Sequence, residues 1–157
     1  MRKRITNHDA QKYAAVDEGW LDLEKVAQVE VSSEEAQHPI EAALLPGVSA
    51  GWRAAAPGQQ LVRLMFDKPQ NLRLIHLVFE EHGQERLQEY TLRWSSGVGQ
   101  AYREIVRQQY NFSPPTTTTE VENHTVNLDS CAELELSIIP DLRGSAAHAA
   151  VVELRVA

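Results

Sequence analysis

The sequence is short of several things that usually announce a function. Its 157 residues include one cysteine, Cys131, so no internal disulfide can form. That cysteine lies in Leu128-Asp-Ser-Cys-Ala-Glu-Leu134 with no basic neighbour, and reads as a small buried hydrophobe rather than a nucleophile. No apolar run is long enough to cross a bilayer. The basic start Met1-Arg-Lys-Arg4 is not followed by an apolar stretch of signal-peptide length, so a cytoplasmic location is expected. On that expectation, the sequons Asn111-Phe-Ser113 and Asn123-His-Thr125 are chance occurrences. Net positive charge is also lacking. The formal charge is −7, which repels phosphate backbones and anionic membrane surfaces, and neither nucleic acid nor membrane is an expected partner. There is no Gly-x-Ser-x-Gly elbow, phosphate loop, dinucleotide fingerprint or zinc-spaced Cys/His set. The sequence predicts no catalysis, no cofactor and no metal.

What is present is a pattern of period two. Apolar residues make up 43% and charged residues 24%, ordinary values for one globular domain. Residues 1–25 stand apart as an N-terminal extension. There Tyr13, Val16, Trp20, Leu21 and Leu23 make either a short amphipathic helix, weakened by about 1 kcal/mol at Gly19, or a tail tucked against the domain. From residue 26 to 157 alternation takes over. It marks strands over 26–32, 60–66, 71–79, 86–95, 132–139 and 151–156. Asp67-Lys-Pro-Gln70 reads as a turn, and 71–79, apolar on both sides, as a central strand. Residues 101–110 suit a helix by composition, but the flanking glycines favour a hairpin strand. Residues 111–120, with Pro114-Pro115 and four threonines, read as a loop. Eight or so short strands with Gly/Pro punctuation predict an all-β jelly-roll sandwich.

Each candidate site has a structural alternative. His76 lies among apolar residues, as core histidines do. Glu80-Glu-His82 offers cation ligands, but neighbours in an extended chain point opposite ways, so at most part of the trio converges. Glu80 with Glu89 has the composition of a glycosidase pair, yet strand carboxylates on a solvent face are common. Arg73, Arg93, Arg103 and Arg107 share the outward parity of their strands. They form either a cationic stripe for an acidic partner or cross-strand pairs with Glu81, Glu89 and Glu104, the latter favoured. Trp52, Tyr102, Tyr110 and Phe112 flank predicted turns, where aromatic faces can meet sugar C–H patches or simply plug the ends of the sandwich.

Three stretches together are informative: His38-Pro-Ile-Glu-Ala-Ala-Leu-Leu-Pro-Gly47, Gly51-Trp-Arg-Ala-Ala55 and Gln60-Leu-Val-Arg-Leu-Met-Phe66. They resemble the opening of the discoidin, or coagulation-factor type C, domain. Tyr90-Thr-Leu-Arg-Trp-Ser95 and Tyr102-Arg-Glu-Ile-Val106 are similar to its later core, and the likeness spans residues 26 to 157. The resemblance implies a galactose-binding-domain-like jelly roll that binds sugars, lipids or protein surfaces through loops at one end. Two departures matter. Pro46-Gly47 stands where that family has aspartate before glycine, so calcium is not expected, and the terminal cysteine pair is missing. The resulting expectation is a non-catalytic carbohydrate-binding module. Trp52 or Tyr102 would stack, Arg53, Arg86 and Arg103 would donate hydrogen bonds, and His82 would lie in the same loops. The alternative is an intracellular protein-interaction module that presents the arginine-rich strand face, or a strand edge, to an acidic protein.

Overall fold

Two strands of 21 residues each organise the chain. β3 (Gln60–Glu80) and β6 (Thr119–Ile139) pair antiparallel along almost their whole length and belong to both layers of a sandwich. The computed structural model describes residues 19–47, 50–97 and 99–157. Within them lie two single-turn helices, α1 (Leu23–Val26) and α2 (Glu41–Leu44), and six further strands. These are β1 (Ala27–Val31), β2 (Trp52–Pro57), β4 (Arg86–Ser95), β5 (Arg103–Phe112), β7 (His148–Val151) and β8 (Glu153–Val156).

The first half of β3 and the second half of β6 form one layer with β1, β4 and β5, in the order β1-β3-β6-β4-β5. Their other halves form the second layer, where β8 pairs with Ile75–Val78. β2 and β7 make a separate two-stranded ribbon. Alternate residues point between the layers. Val62, Leu64, Leu92, Leu134, Leu136 and Ile138 meet Leu72, Ile75, Leu77, Phe79, Leu154 and Val156 in one core. Phe79 of one layer packs on Tyr90 of the other with ring centroids 5.1 Å apart. The expected all-β sandwich is present.

The turn expected at Asp67–Gln70 is not. The chain stays extended there and crosses from one layer to the other, with register shifts between Met65 and Leu74. Pro69, which has no N–H to give a ladder, is tolerated because the pairing is already interrupted at this corner. β6 bends opposite it, with Ser130 at φ 57 and its N–H donated to Asn71 Oδ1 at 2.9 Å. The loop expected over 111–120 is also shorter. β5 continues to Phe112 and β6 begins at Thr119. The predicted strand 151–156 is two strands, split at Val152, whose N–H bonds to Val78 O at 2.8 Å.

Residues 71–79 are central, flanked by β6 and β8, as their two apolar faces predict. Of the N-terminal extension, residues 1–18 lie outside the described residues. The described part joins the sandwich: Leu21 N–H bonds to Val156 O at 2.9 Å, and Leu23 enters the core. Arg155, on the outer side of β8, donates to Ala43 O at 2.6 Å and Leu45 O at 3.3 Å, satisfying carbonyls at the end of α2.

Because Phe79 is fully enclosed between the layers, Phe79→Ala should lower unfolding free energy by about 3–5 kcal/mol in urea titration. Leu142→Ala, at an exposed position, should change it by under about 0.5 kcal/mol. Equal effects would remove Phe79 from the core.

Candidate functional site

The chain enters β2 through Gly51, and only glycine serves there. Its φ is +69°, and an added Cβ would lie 2.8 Å from Val151 O. This close approach seats Trp52 under the β2–β7 ribbon, 1% exposed, with its indole Nε1–H donated to Ser33 O at 3.0 Å. The next residue, Arg53, points outward and pairs through Nε with Glu35 at 2.6 Å. Its two terminal amines have no acceptor among the described residues. His38 and His148 border the same surface. Their Nδ1 atoms lie 3.2 Å from Ala50 O and 2.7 Å from Ala54 O. A carbonyl only accepts, so each Nδ1 carries the hydrogen, an arrangement that in a neutral imidazole leaves Nε2 as the acceptor.

The facing wall is the turn that follows β3. Glu81 organises it: Oε2 accepts the Gly83 N–H at 3.0 Å and Oε1 accepts from Arg86 Nε at 2.7 Å. Burial alone would raise the Glu81 carboxyl, but the Gly83 N–H and the Arg86 guanidinium outweigh it and hold the group below the ordinary range. His82 Nε2 lies 3.4 Å from Glu80 Oε2 at the rim. Between the walls is a cleft of about 410 Å³. Among its lining residues are the small Ala50, Gly51 and Ala150.

Four of the six residues singled out from the sequence line this cleft: Trp52, Arg53, His82 and Arg86. Two of them have structural roles. Trp52 is enclosed and gives no stacking face. Arg86 is 1% exposed, and its guanidinium is already bonded to Glu81, to Gln88 Oε1 at 2.9 Å and to Pro140 O at 2.9 Å, over the Phe112 ring at 4.5 Å. Tyr102 and Arg103 are elsewhere. They follow the far end of β4, a strand length of about 30 Å from Arg86. The Tyr102 hydroxyl donates to Glu133, its ring lies beside Arg63 and Arg93, and Arg103 rests over Trp94 at 5.6 Å. Tyr110 and Phe112 pack edge to face, with centroids 4.9 Å apart.

The arginines of the proposed stripe are largely neutralised in place. Arg93 and Arg63 enclose Glu135, Arg107 pairs with Glu104 at 2.9 Å and Glu89 at 3.5 Å, and Arg73 pairs with Asp129 at 2.9 Å. Glu80 and Glu89 border different surface features and do not form a pair. Among the described residues, no group of three or more His, Cys, Asp and Glu is arranged to hold a metal ion. Sequence reasoning missed His38 as a polar contributor, and also His148 and Glu35. The only signal was two histidines beside the tight Gly/Ala/Pro segments that a ribbon end requires.

No family model matches the sequence, and no curated protein matches it. Solved structures do. The family 32 carbohydrate-binding module of NanJ from C. perfringens, in complex with galactose, aligns with a TM-score of 0.66 at 15% identity, covering 87% of this chain and 96% of that one. The module CpGH89CBM32-5 from Clostridium perfringens, in complex with GalNAc-β-1,3-galactose, aligns at 0.64 and 14%, covering 87% and 98%. Reduced XRCC1, bound to the DNA polymerase β catalytic domain, aligns at 0.58 and 13%, covering 84% and 96%. At such identities the likeness establishes the fold, a galactose-binding-like jelly-roll sandwich.

Arg86→Met would strand the Glu81 carboxylate and should cost about 3–5 kcal/mol of unfolding free energy. Arg53→Ala, at a solvated ion pair, should cost under about 1 kcal/mol. Chemical denaturation of both variants decides it, and an Arg86 variant as stable as the parent would contradict the structural role given to that side chain.

Proposed function

We propose that the protein is a non-catalytic carbohydrate-binding module that holds a sugar residue in the cleft between the β2–β7 ribbon and the turn after β3. The observation that carries this reading is the cleft's division of labour. His38 Nε2 and His148 Nε2 accept, while the terminal amines of Arg53 donate. A pyranose hydroxyl both donates and accepts, so one ring can engage both kinds of group. Small residues among the lining, Ala50, Gly51 and Ala150, leave room for a sugar ring without a stacking aromatic. His38 and His148 are tied to backbone carbonyls and not to a carboxylate, so neither is set up as a general base, while His82, beside Glu80, lies at the exposed rim.

The shared fold supports the reading, since the NanJ module binds galactose and CpGH89CBM32-5 binds GalNAc-β-1,3-galactose. Without aromatic stacking, binding rests on hydrogen bonds of about 0.5–1.5 kcal/mol each, and an affinity in the millimolar to micromolar range follows.

A second reading has one observation in its favour. XRCC1 shares the fold and is bound to a protein partner. On this chain the corresponding proposal is a protein-binding site on the outer face of the five-stranded layer, around Tyr102, Arg93 and Arg107. The carboxylates already paired with those arginines compete with any acidic partner, which places the cleft first.

Calorimetric titration with galactose and N-acetylgalactosamine tests the proposal. Arg53→Ala should weaken binding by at least about tenfold, since a charged hydrogen bond is worth about 1.5–3 kcal/mol. Arg107→Ala should leave it unchanged. Affinity should vary less than about twofold between about 50 mM and 500 mM salt, because the sugar is neutral. Full-strength binding by Arg53→Ala, or no binding of either sugar, would remove the assignment.

A further inference from the structure

β5 (Arg103–Phe112) is the last strand of its layer, paired with β4 on one side and with no strand on the other among the described residues. The direction of its backbone groups follows from β4. Leu87 turns its N–H to Asp141 Oδ1 and its carbonyl to the Leu142 N–H, both on the β6 side. Backbone groups alternate sides along a strand, so the even-numbered residues of β4 face β5. Their partners Val106, Gln108 and Tyr110 spend N–H and C=O on that ladder. Arg107 and Gln109 therefore aim theirs outward, where no strand of the described residues lies. Asn111 aims outward too, but its carbonyl accepts the Thr117 hydroxyl at 3.2 Å. The pairing with β4 skips Ile105 at a bulge, so the straight part of the edge runs from Val106 to Tyr110.

Such an edge is a template for another strand, and proteins that leave edges unpaired usually blunt them. The outer edge of the first half of β6 is blunted, because Glu120 and Glu122 point into the sandwich beside it. The straight part of β5 has no such device. It holds no proline, glycine or lysine, and its inward side chains, Val106, Gln108 and Tyr110, are uncharged and half-buried.

The edge is self-complementary in one register. A two-fold axis normal to the sheet lays a second β5 antiparallel to the first and keeps inward side chains inward. The hydrogen-bonded pairs then come from Arg107, Gln109 and Asn111. An axis through Arg107 sets that cation against its own copy, which is unfavourable. An axis through Gln109 calls on the Asn111 carbonyl, already bonded to Thr117. An axis through Gln108 avoids both. Arg107 then exchanges backbone bonds with the partner's Gln109, and Gln109 with the partner's Arg107. On the inward side Val106 meets the partner's Tyr110, a β-branched side chain against an aromatic one, and Gln108 meets the partner's Gln108, amide to amide. Side chains left half-buried in one chain are thereby covered by the other.

We infer that β5 is a self-association edge: two copies of this chain pair it antiparallel about Gln108 and join their five-stranded layers into one continuous sheet. A contact along one strand is small, so the dimer is weak, with a dissociation constant on the order of 0.1 mM. The pairing does not rest on the carbohydrate reading. Where both hold, the two clefts, each at the Phe112 end of β5, face opposite ways along the shared sheet, and one dimer bridges two separate ligands.

Sedimentation velocity of the full chain, from about 10 µM to about 1 mM, should show the weight-average coefficient rising from monomer towards dimer. Gln109→Pro removes an outward N–H and no bond to β4, and should weaken association at least about tenfold. Gln109→Lys should weaken it at least about threefold. Its cation stays beside Glu89, which accepts from the Gln109 amide at 3.3 Å, and meets the partner's Arg107. This charge variant keeps the inference testable if the proline variant does not fold. Gln108→Cys should give a disulfide-linked dimer under mild oxidation, since residues of a non-hydrogen-bonded pair lie about 4.5 Å apart at Cα. Gln109→Cys, whose two copies are not opposite each other, should not, and the native Cys131 is buried. A chain that stays monomeric to about 1 mM, association untouched by both Gln109→Pro and Gln109→Lys, or equal cross-linking at 108 and 109 would each overturn the inference. None of these readouts involves a sugar, so a failure to bind galactose leaves the dimer standing.

Discussion

Burying the Arg86 guanidinium takes a full charge out of water, a penalty of several kcal/mol that only good geometry offsets. The structure supplies it. One side chain reaches Glu81 at the end of β3, Gln88 on its own strand and the Pro140 carbonyl after β6, and lies against the Phe112 ring of β5. Three segments far apart in sequence are thereby joined at one end of the sandwich. Neighbouring bonds reinforce the junction. Asp141 Oδ1 accepts the N–H groups of Leu87 at 3.2 Å and Arg143 at 3.0 Å, and Leu142 N–H reaches Leu87 O at 2.8 Å. The candidate cleft has a fixed wall because of this network.

The opposite wall is fixed differently. A glycine against the Val151 carbonyl brings β2 close to β7, and Trp52 locks the ribbon from below. His148 takes its orientation from the Ala54 carbonyl of that ribbon, and His38 from the Ala50 carbonyl just before it. The cleft is thus built from main-chain geometry on one side and a buried ion pair on the other, with little left to mobile side chains. Such preorganisation matters when each contact with a sugar hydroxyl is weak.

Much of the fold was legible because most core-facing positions are apolar. β4 keeps its predicted bounds of Arg86–Ser95, with Tyr90 and Leu92 inward, and the two apolar faces of 71–79 correctly mark a covered central strand. The first half of β6 escaped notice because its inward side is Glu120, Glu122 and His124, so alternation of hydrophobicity is lost where the strand is most unusual. Pro69 suggested a turn because sequence does not distinguish a proline that reverses the chain from one at the corner where a strand changes layers. The site was legible only by halves. Loop sequences look alike at both ends of a strand, and nothing local says that Tyr102 and Arg103 lie a strand length away from Arg53. Nor does composition reveal that Trp52 is a plug and Arg86 a tie, which are properties of burial.

An acidic protein with eleven arginines invites a search for a cationic surface. On the outer face of the five-stranded layer most of those charges are matched by Glu89, Glu104 and Glu135. Among the described residues, Arg53, His38 and His148 keep hydrogen-bonding groups that the protein does not itself take up, and all three line the cleft at the end of the sandwich. Amide chemical-shift mapping on addition of galactose tests that placement most directly. The account predicts perturbations at Gly51, Arg53, His82, Gly83 and His148, with β5 and Tyr102 unmoved; shifts confined to the strand face, or none, would contradict it.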